Sequence, residues 1–227
     1  MLPDPFGGMS DTLNVDTTVL LAFASDLSHD SVGSEEWHNR MIAYQIKMER
    51  EEPMLPSVLW PACGSRKLVC TREAADRALK IVETIATETE RKRMALLLNI
   101  GVGLSDREQR IQEFQQLSKY NIPSDWCLPI EVIDVDVEKI KSKLPSPAAE
   151  NVSQILTGIN PSVFFYGWES GYTTITSNRV ASREVEKTIE ENRVAEEMGP
   201  DVWIAPQSRS LVGREKERRG AIPADTE

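Results

Sequence analysis

The run Leu13-Asn-Val-Asp16-Thr-Thr-Val-Leu-Leu21 sets a single carboxylate inside a mostly apolar and β-branched stretch. A carboxylate buried without a partner is costly, so Asp16 is either hydrogen-bonded at a strand-to-helix turn or part of an anionic site. Asp followed by Thr is also ordinary helix-start chemistry, which keeps both readings open. Other site chemistries fail on spacing. Gly101-Val-Gly103 lacks the third glycine of a dinucleotide fingerprint, and nothing matches a P-loop. Gly167-Trp-Glu-Ser-Gly171 places its serine one residue away from a nucleophile elbow. His29 and His38 are the only histidines and do not form a ligand pair, and Ser28-His29-Asp30 reads as a loop rather than a triad. What remains is oxygen-rich, acidic chemistry, which suits magnesium or manganese aligning a water for phosphodiester cleavage.

The elements that must position such a site alternate. Asn14 to Thr18 reads as a strand feeding a helix over Val19 to Leu27. Ser34, followed by Glu35 and Glu36, is expected to start a helix whose buried face carries Trp37, Met41, Tyr44 and Met48. Lys67 to Cys70 is a strand, and Thr71 caps the alanine-rich helix after it. A further helix covers Glu90 to Asn99, and Ser105-Asp-Arg-Glu108 reads as a capping box for one through Ile111, Phe114 and Leu117. Ile130 to Val135 is a strand before a helical Asp136 to Lys143. Two close apolar stretches follow, Ser162 to Tyr166 and Tyr172 to Thr176, then a charged helix from Ala181 to Met198 and a last strand at Asp201 to Ala205. Strands separated by helices imply an α/β layer fold with a mainly parallel sheet, in which ligands sit beyond the carboxyl ends of the strands.

Composition bounds the function. The chain of 227 residues is 40% hydrophobic, which fits one domain with a real core. No apolar run approaches the roughly 20 residues that cross a bilayer, so no membrane partner is expected. Pro3, Pro5, Gly7 and Gly8 suggest a flexible leader over 1–12, and no basic segment leads into an apolar one as a secretory signal would. A net charge of −10 has the wrong sign for broad DNA binding by counterion release. The clearest basic cluster, Arg209, Arg214, Lys216, Arg218 and Arg219, is interrupted by Glu215 and Glu217 and reads as solvated, in a charged tail over 212–227 expected to be disordered. Three cysteines with no paired spacing point to a reducing, intracellular setting, cytoplasmic or nuclear.

Val15-Asp16-Thr17-Thr18-Val19-Leu20-Leu21 resembles the opening of PIN-like nuclease domains, where an aspartate, a threonine or serine and an apolar helix begin the metal site. In order along the chain, Gln45, Glu49-Arg50, Leu55-Pro56, Arg66-Lys-Leu-Val-Cys70, Phe165-Tyr-Gly167-Trp-Glu169-Ser170 and Thr174-Ile-Thr-Ser-Asn178 are similar to the PIN-like domain of the eukaryotic domain-of-unknown-function family DUF1308. Asp201 to Leu211 fits its closing strand, so the resemblance spans a single domain over 13–211, with Gly101 to Gly158 lacking a clear counterpart. The short leader suggests a truncated or reduced member.

That resemblance implies a three-layer PIN-like fold with helices on both faces of the sheet. It makes Asp16 the first carboxylate of the site, Asp76 the second with Glu73 as rival, and Glu169 the third, together holding Mg or Mn. Glu169 stands where the family has an aspartate, and Asn178 where active domains have another, so the charge that holds a hard cation is reduced. Two functions follow. One is a catalytically degenerate module that binds RNA or a protein partner; the alternative is a Mg/Mn-dependent ribonuclease acting on phosphodiester bonds.

Overall fold

The computed structural model describes residues 5–101, 103, 106–145, 147–192 and 199–213. Its centre is a five-stranded parallel sheet of β1 (Thr12–Val15), β2 (Lys67–Thr71), β3 (Glu131–Ile133), β4 (Thr173–Thr176) and β5 (Val202–Ile204), in the order β3-β2-β1-β4-β5. The chain first builds outward from β1 through β2 to β3, then crosses back to place β4 on the other side of β1. Neighbouring connections therefore diverge at the β1–β4 boundary, which is the topological switch point where open α/β sheets bind ligands.

Alternation along the strands sorts side chains between two layers of helices. Leu13, Val15, Leu68, Cys70 and Ile175 pack into one core with α1 (Thr17–Ala24), α5 (Arg72–Ile85) and α6 (Glu88–Leu98). A second core joins α8 (Val137–Lys141), α9 (Ala148–Ile155), α10 (Asn160–Ser170) and α11 (Arg179–Asn192), through Ile140, Val152, Phe165 and Val185. The result is a three-layer α/β fold. On the α10 side the sheet is polar: Asn14 Nδ2 donates to the Val163 carbonyl at 2.8 Å and to Thr174 Oγ1 at 3.0 Å. Helix α10 approaches there through Gly167, where a Cβ would stand 2.1 Å from Thr174 Oγ1. Only glycine fits.

Several sequence expectations shift. The first strand ends at Val15, one residue before Asp16, and the helical run after it divides at Ser25 into α1 and α2 (Asp26–His29). Helix α3 (Arg40–Glu51) is capped by Asn39 rather than Ser34, and it buries Ile42, Gln45, Ile46 and Glu49. Met41 and Tyr44, expected inside, are exposed. The face is rotated because Gln45 and Glu49 find polar partners near the C-terminal end of the described chain. A π-helical turn at Leu55–Leu59 leads through Pro56 into α4 (Trp60–Cys63). Asp106 caps α7 (Arg107–Gln115), and Ser105 of the expected capping box lies outside the described residues. Of the two close apolar stretches, Ser162 to Tyr166 belongs to α10, and Tyr172 to Thr176 contains β4. The expected helix over Ala181 to Met198 is observed as α11 to Asn192; residues 193–198 lie outside the described residues.

Both ends of the described chain pack on the domain. Phe6 meets Trp203 edge-on and its carbonyl accepts from Arg66. After β5, Ser210 N–H donates to Gln45 Oε1 at 2.8 Å, Leu211 enters the main core, and Val212 N–H donates to Glu90 Oε1 at 2.7 Å. The basic positions from Arg214 onward lie outside the described residues, but Arg209 does not behave as a solvated cation: it is buried and paired with Glu49 at 2.7 Å. Among the described residues, no helix is long and apolar enough to cross a membrane.

Candidate functional site

Asp16 follows β1 in an extended conformation and precedes α1, yet its side chain does not cap that helix. It turns to the switch point instead. Thr18 Oγ1 and Thr176 Oγ1 both donate to Asp16 Oδ2, at 2.7 and 2.6 Å. Those hydroxyls in turn accept the backbone N–H groups of Ser177 and Asn178, each at 2.9 Å. One carboxylate, 3% exposed, thus clamps the ends of β1 and β4 through two threonines. Asn178 uses Oδ1 to accept the Ala181 N–H and start α11.

The other acids do not join it. Asp76 faces solvent from α5, on the side of Arg72 and its partner Asp134. Glu73 is partly buried in the first turn of the same helix, which Thr17 Oγ1 ties to α1 by donating to the Ala74 carbonyl at 2.9 Å. Its Oε2 is shielded from water without a hydrogen-bond partner. Glu169 lies near the end of α10, before β4 begins, and pairs with Lys143 at 2.5 Å. It therefore stands at the amino edge of the sheet, separated from Asp16 by the length of a strand, about 10 Å at roughly 3.3 Å per residue. Bonds of about 2 to 2.6 Å cannot span that gap, so Asp16 and Glu169 do not fit a shared magnesium or manganese ion. Among the described residues, no group of three histidine, cysteine or acidic side chains is arranged to hold a metal.

The remaining reactive groups are structural. His29 is buried and its pKa is lowered to about 3, chiefly by burial and then by Arg93. Its Nε2–H donates to the Phe23 carbonyl at 2.8 Å, leaving Nδ1 to accept from Ser118 Oγ. All three cysteines are unpaired; burial pushes the Cys63 and Cys70 thiols up to about 12, too high for nucleophiles.

Beside the Asp16 clamp opens a cleft of about 370 Å³ between α3, the start of α11 and the segment after β5. Met41, Tyr44 and Gln45 line one wall, Ser177 to Val180 another, and Pro206 to Arg209 the third. Among the described residues its lining contains two arginines and no carboxylate, on a chain with net charge −10. Three polar atoms of its lining residues, Ser177 Oγ, Gln207 Oε1 and Arg209 Nη2, are buried without a hydrogen-bond partner among the described residues. Each such atom costs about 1–3 kcal/mol relative to one that is satisfied. Arg209 is held from behind, where Nε donates to Glu49 Oε2 at 2.7 Å and Nη1 to the Ser208 carbonyl at 3.0 Å. Burial pushes the Glu49 carboxyl up in pKa, and the Arg209 charge opposes this.

None of the cleft's buried polar atoms belongs to a residue selected from sequence for the site. One signal pointed toward it: Gln45 and Glu49 interrupt the stripe of Ile42 and Ile46 at helical spacing, and polar residues within an apolar stripe imply buried partners. No curated protein and no solved structure gives a significant match to the chain. Residues 13–123, from β1 and Asp16 past α7, match the model of a family described as Protein of unknown function (DUF1308). The match runs through 101–123, which had no apparent counterpart, and ends before the α10 and β4 motifs. That match covers just under half of the chain.

Proposed function

We propose that this chain is a PIN-like domain in which the nuclease site has lost its cation-binding charge, and that it acts as an RNA-binding module. One observation carries the reading: Asp16 and Glu169 stand at opposite edges of the sheet, with the first engaged by two threonines and the second by a lysine. The architecture supports a ligand at the switch point, but the carboxylates needed to activate water are not gathered there. RNA is favoured by the adjoining cleft, which combines two arginines with the exposed ring of Tyr44. Net charge limits the contact to a local one, so binding should depend only weakly on salt.

The test is an RNA cleavage assay supplemented with manganese, on the chain and on Asp16→Asn, together with fluorescence anisotropy of a single-stranded oligoribonucleotide in EDTA. Binding without cleavage is expected. Cleavage that disappears in Asp16→Asn would restore the Mg/Mn-dependent ribonuclease. Absence of both binding and cleavage would transfer the module to a protein partner.

A further inference from the structure

We infer that the cleft beside α3 is a nucleotide site, holding a terminal phosphate at Ser177, Arg209 and the start of α11, with the base against Tyr44 and Met41. The inference deepens the RNA-binding reading and rests on it for the choice of ligand. Three independent features meet in this place. First, Arg209 is 2% exposed, is braced by Glu49, and retains an Nη2 with no hydrogen-bond acceptor. Ser177 Oγ is likewise buried and unpartnered among the described residues, so two residues that line the same cleft each keep an unpaired donor. Second, the 14-residue α11 begins there through Asn178 and Arg179, directing the positive end of its dipole toward the cleft. Third, Met41 and Tyr44 are each 59% exposed on the opposite wall, an apolar surface that the fold leaves uncovered.

A phosphate supplies what the floor lacks. Its oxygens accept from Ser177 and Arg209, and its charge matches a lining with no carboxylate. Gln207 Oε1, an acceptor without a donor, suits a ribose hydroxyl or a base amino group. The volume of about 370 Å³ falls in the range of small-ligand pockets. The phosphate can arrive on a free mononucleotide or on the end of an RNA strand, and the chemistry recognised is the same.

The experiment is calorimetric titration of the full chain, in EDTA, with adenosine 5′-monophosphate, adenosine, and a short oligoribonucleotide with or without a 5′-phosphate. Adenosine monophosphate should bind and adenosine should not. Ser177→Ala and Tyr44→Ala should each weaken binding by about tenfold, as expected for loss of one charge-assisted hydrogen bond or one stacking contact. Ser177→Ala is informative because its hydroxyl has no partner among the described residues, so a purely structural role predicts unchanged folding and unchanged binding. A preference for the 5′-phosphorylated strand over the free nucleotide assigns the site to RNA ends, and the reverse assigns it to free nucleotides; either supports the site. Equal binding of adenosine, no binding of the monophosphate, or wild-type affinity in both variants would overturn it. RNA binding that persists in both variants would remove this site while leaving the RNA-binding reading intact. Nucleotide binding without any RNA binding would do the opposite.

Discussion

The carboxyl edge around the β1–β4 boundary and the amino edge of the sheet treat charge in opposite ways. At the carboxyl edge, Asp16 is withdrawn from water and held by threonine hydroxyls, and the Glu49–Arg209 pair nearby is almost completely buried. At the amino edge, Lys143–Glu169 and Lys67–Glu131 keep their side chains partly or largely in solvent. Buried charges need specific partners and lose much when one is removed, whereas exposed pairs are weakened by water. The comparison identifies the edge on which the fold has invested in preorganised polar groups. That edge is the switch point.

The sharpest way to break the comparison is Arg209→Ala, which leaves the Glu49 carboxylate buried and unpaired. Urea unfolding should show a loss of about 3–5 kcal/mol. Asp16→Ala is next, because it strands the Thr18 and Thr176 hydroxyls, and should cost about 2–3 kcal/mol by the same measurement. Asp16→Asn keeps an acceptor oxygen and should cost less. A loss below about 1 kcal/mol in either alanine variant would mean that the carboxyl edge is not specially organised.

A third prediction sets the pH range in which these variants are compared. His29 has its folded pKa lowered from 6.5 to about 3, so the unfolded chain binds a proton first as pH falls. Its contribution is full above the unfolded value and is lost on acidification toward the folded one. Stability should drop by about 2 kcal/mol between pH 7 and pH 5 from this group. Nitrogen-detected NMR should show a neutral ring protonated at Nε2 throughout that range, and an imidazolium signal at pH 5 would refute the assignment. The smallest effect belongs to the amino edge: Glu169→Gln should change unfolding free energy by at most about 1 kcal/mol. A larger loss would erase the contrast between the edges.

Much of the fold was legible locally. Lys67 to Thr71 and the helix capped by Thr71 follow from β-branched residues and an apolar stripe ended by recognisable signals. The face of α3 is not legible locally, because Met41 and Tyr44 are intrinsically apolar, while the burial of Gln45 and Glu49 depends on Ser210 and Arg209, some 160 residues away in sequence. Ser162 to Tyr166 has the composition of a strand, but the Gly167–Thr174 contact and the Asn14 hydrogen bond to Val163 require a helix packed against the sheet.

By itself, the sequence determined the alternation of strands and helices and the position of Asp16 at the first strand-to-helix junction, since both are set by residue spacing over a few turns. Only the tertiary structure decided what Asp16 does. Strand order places Thr176 beside it and sends Glu169 to the far edge, and strand order arises from pairings between distant segments that no local pattern encodes. The cleft is of the same kind, with Tyr44, Ser177 and Arg209 brought from three separate elements to one end of the β1–β4 boundary.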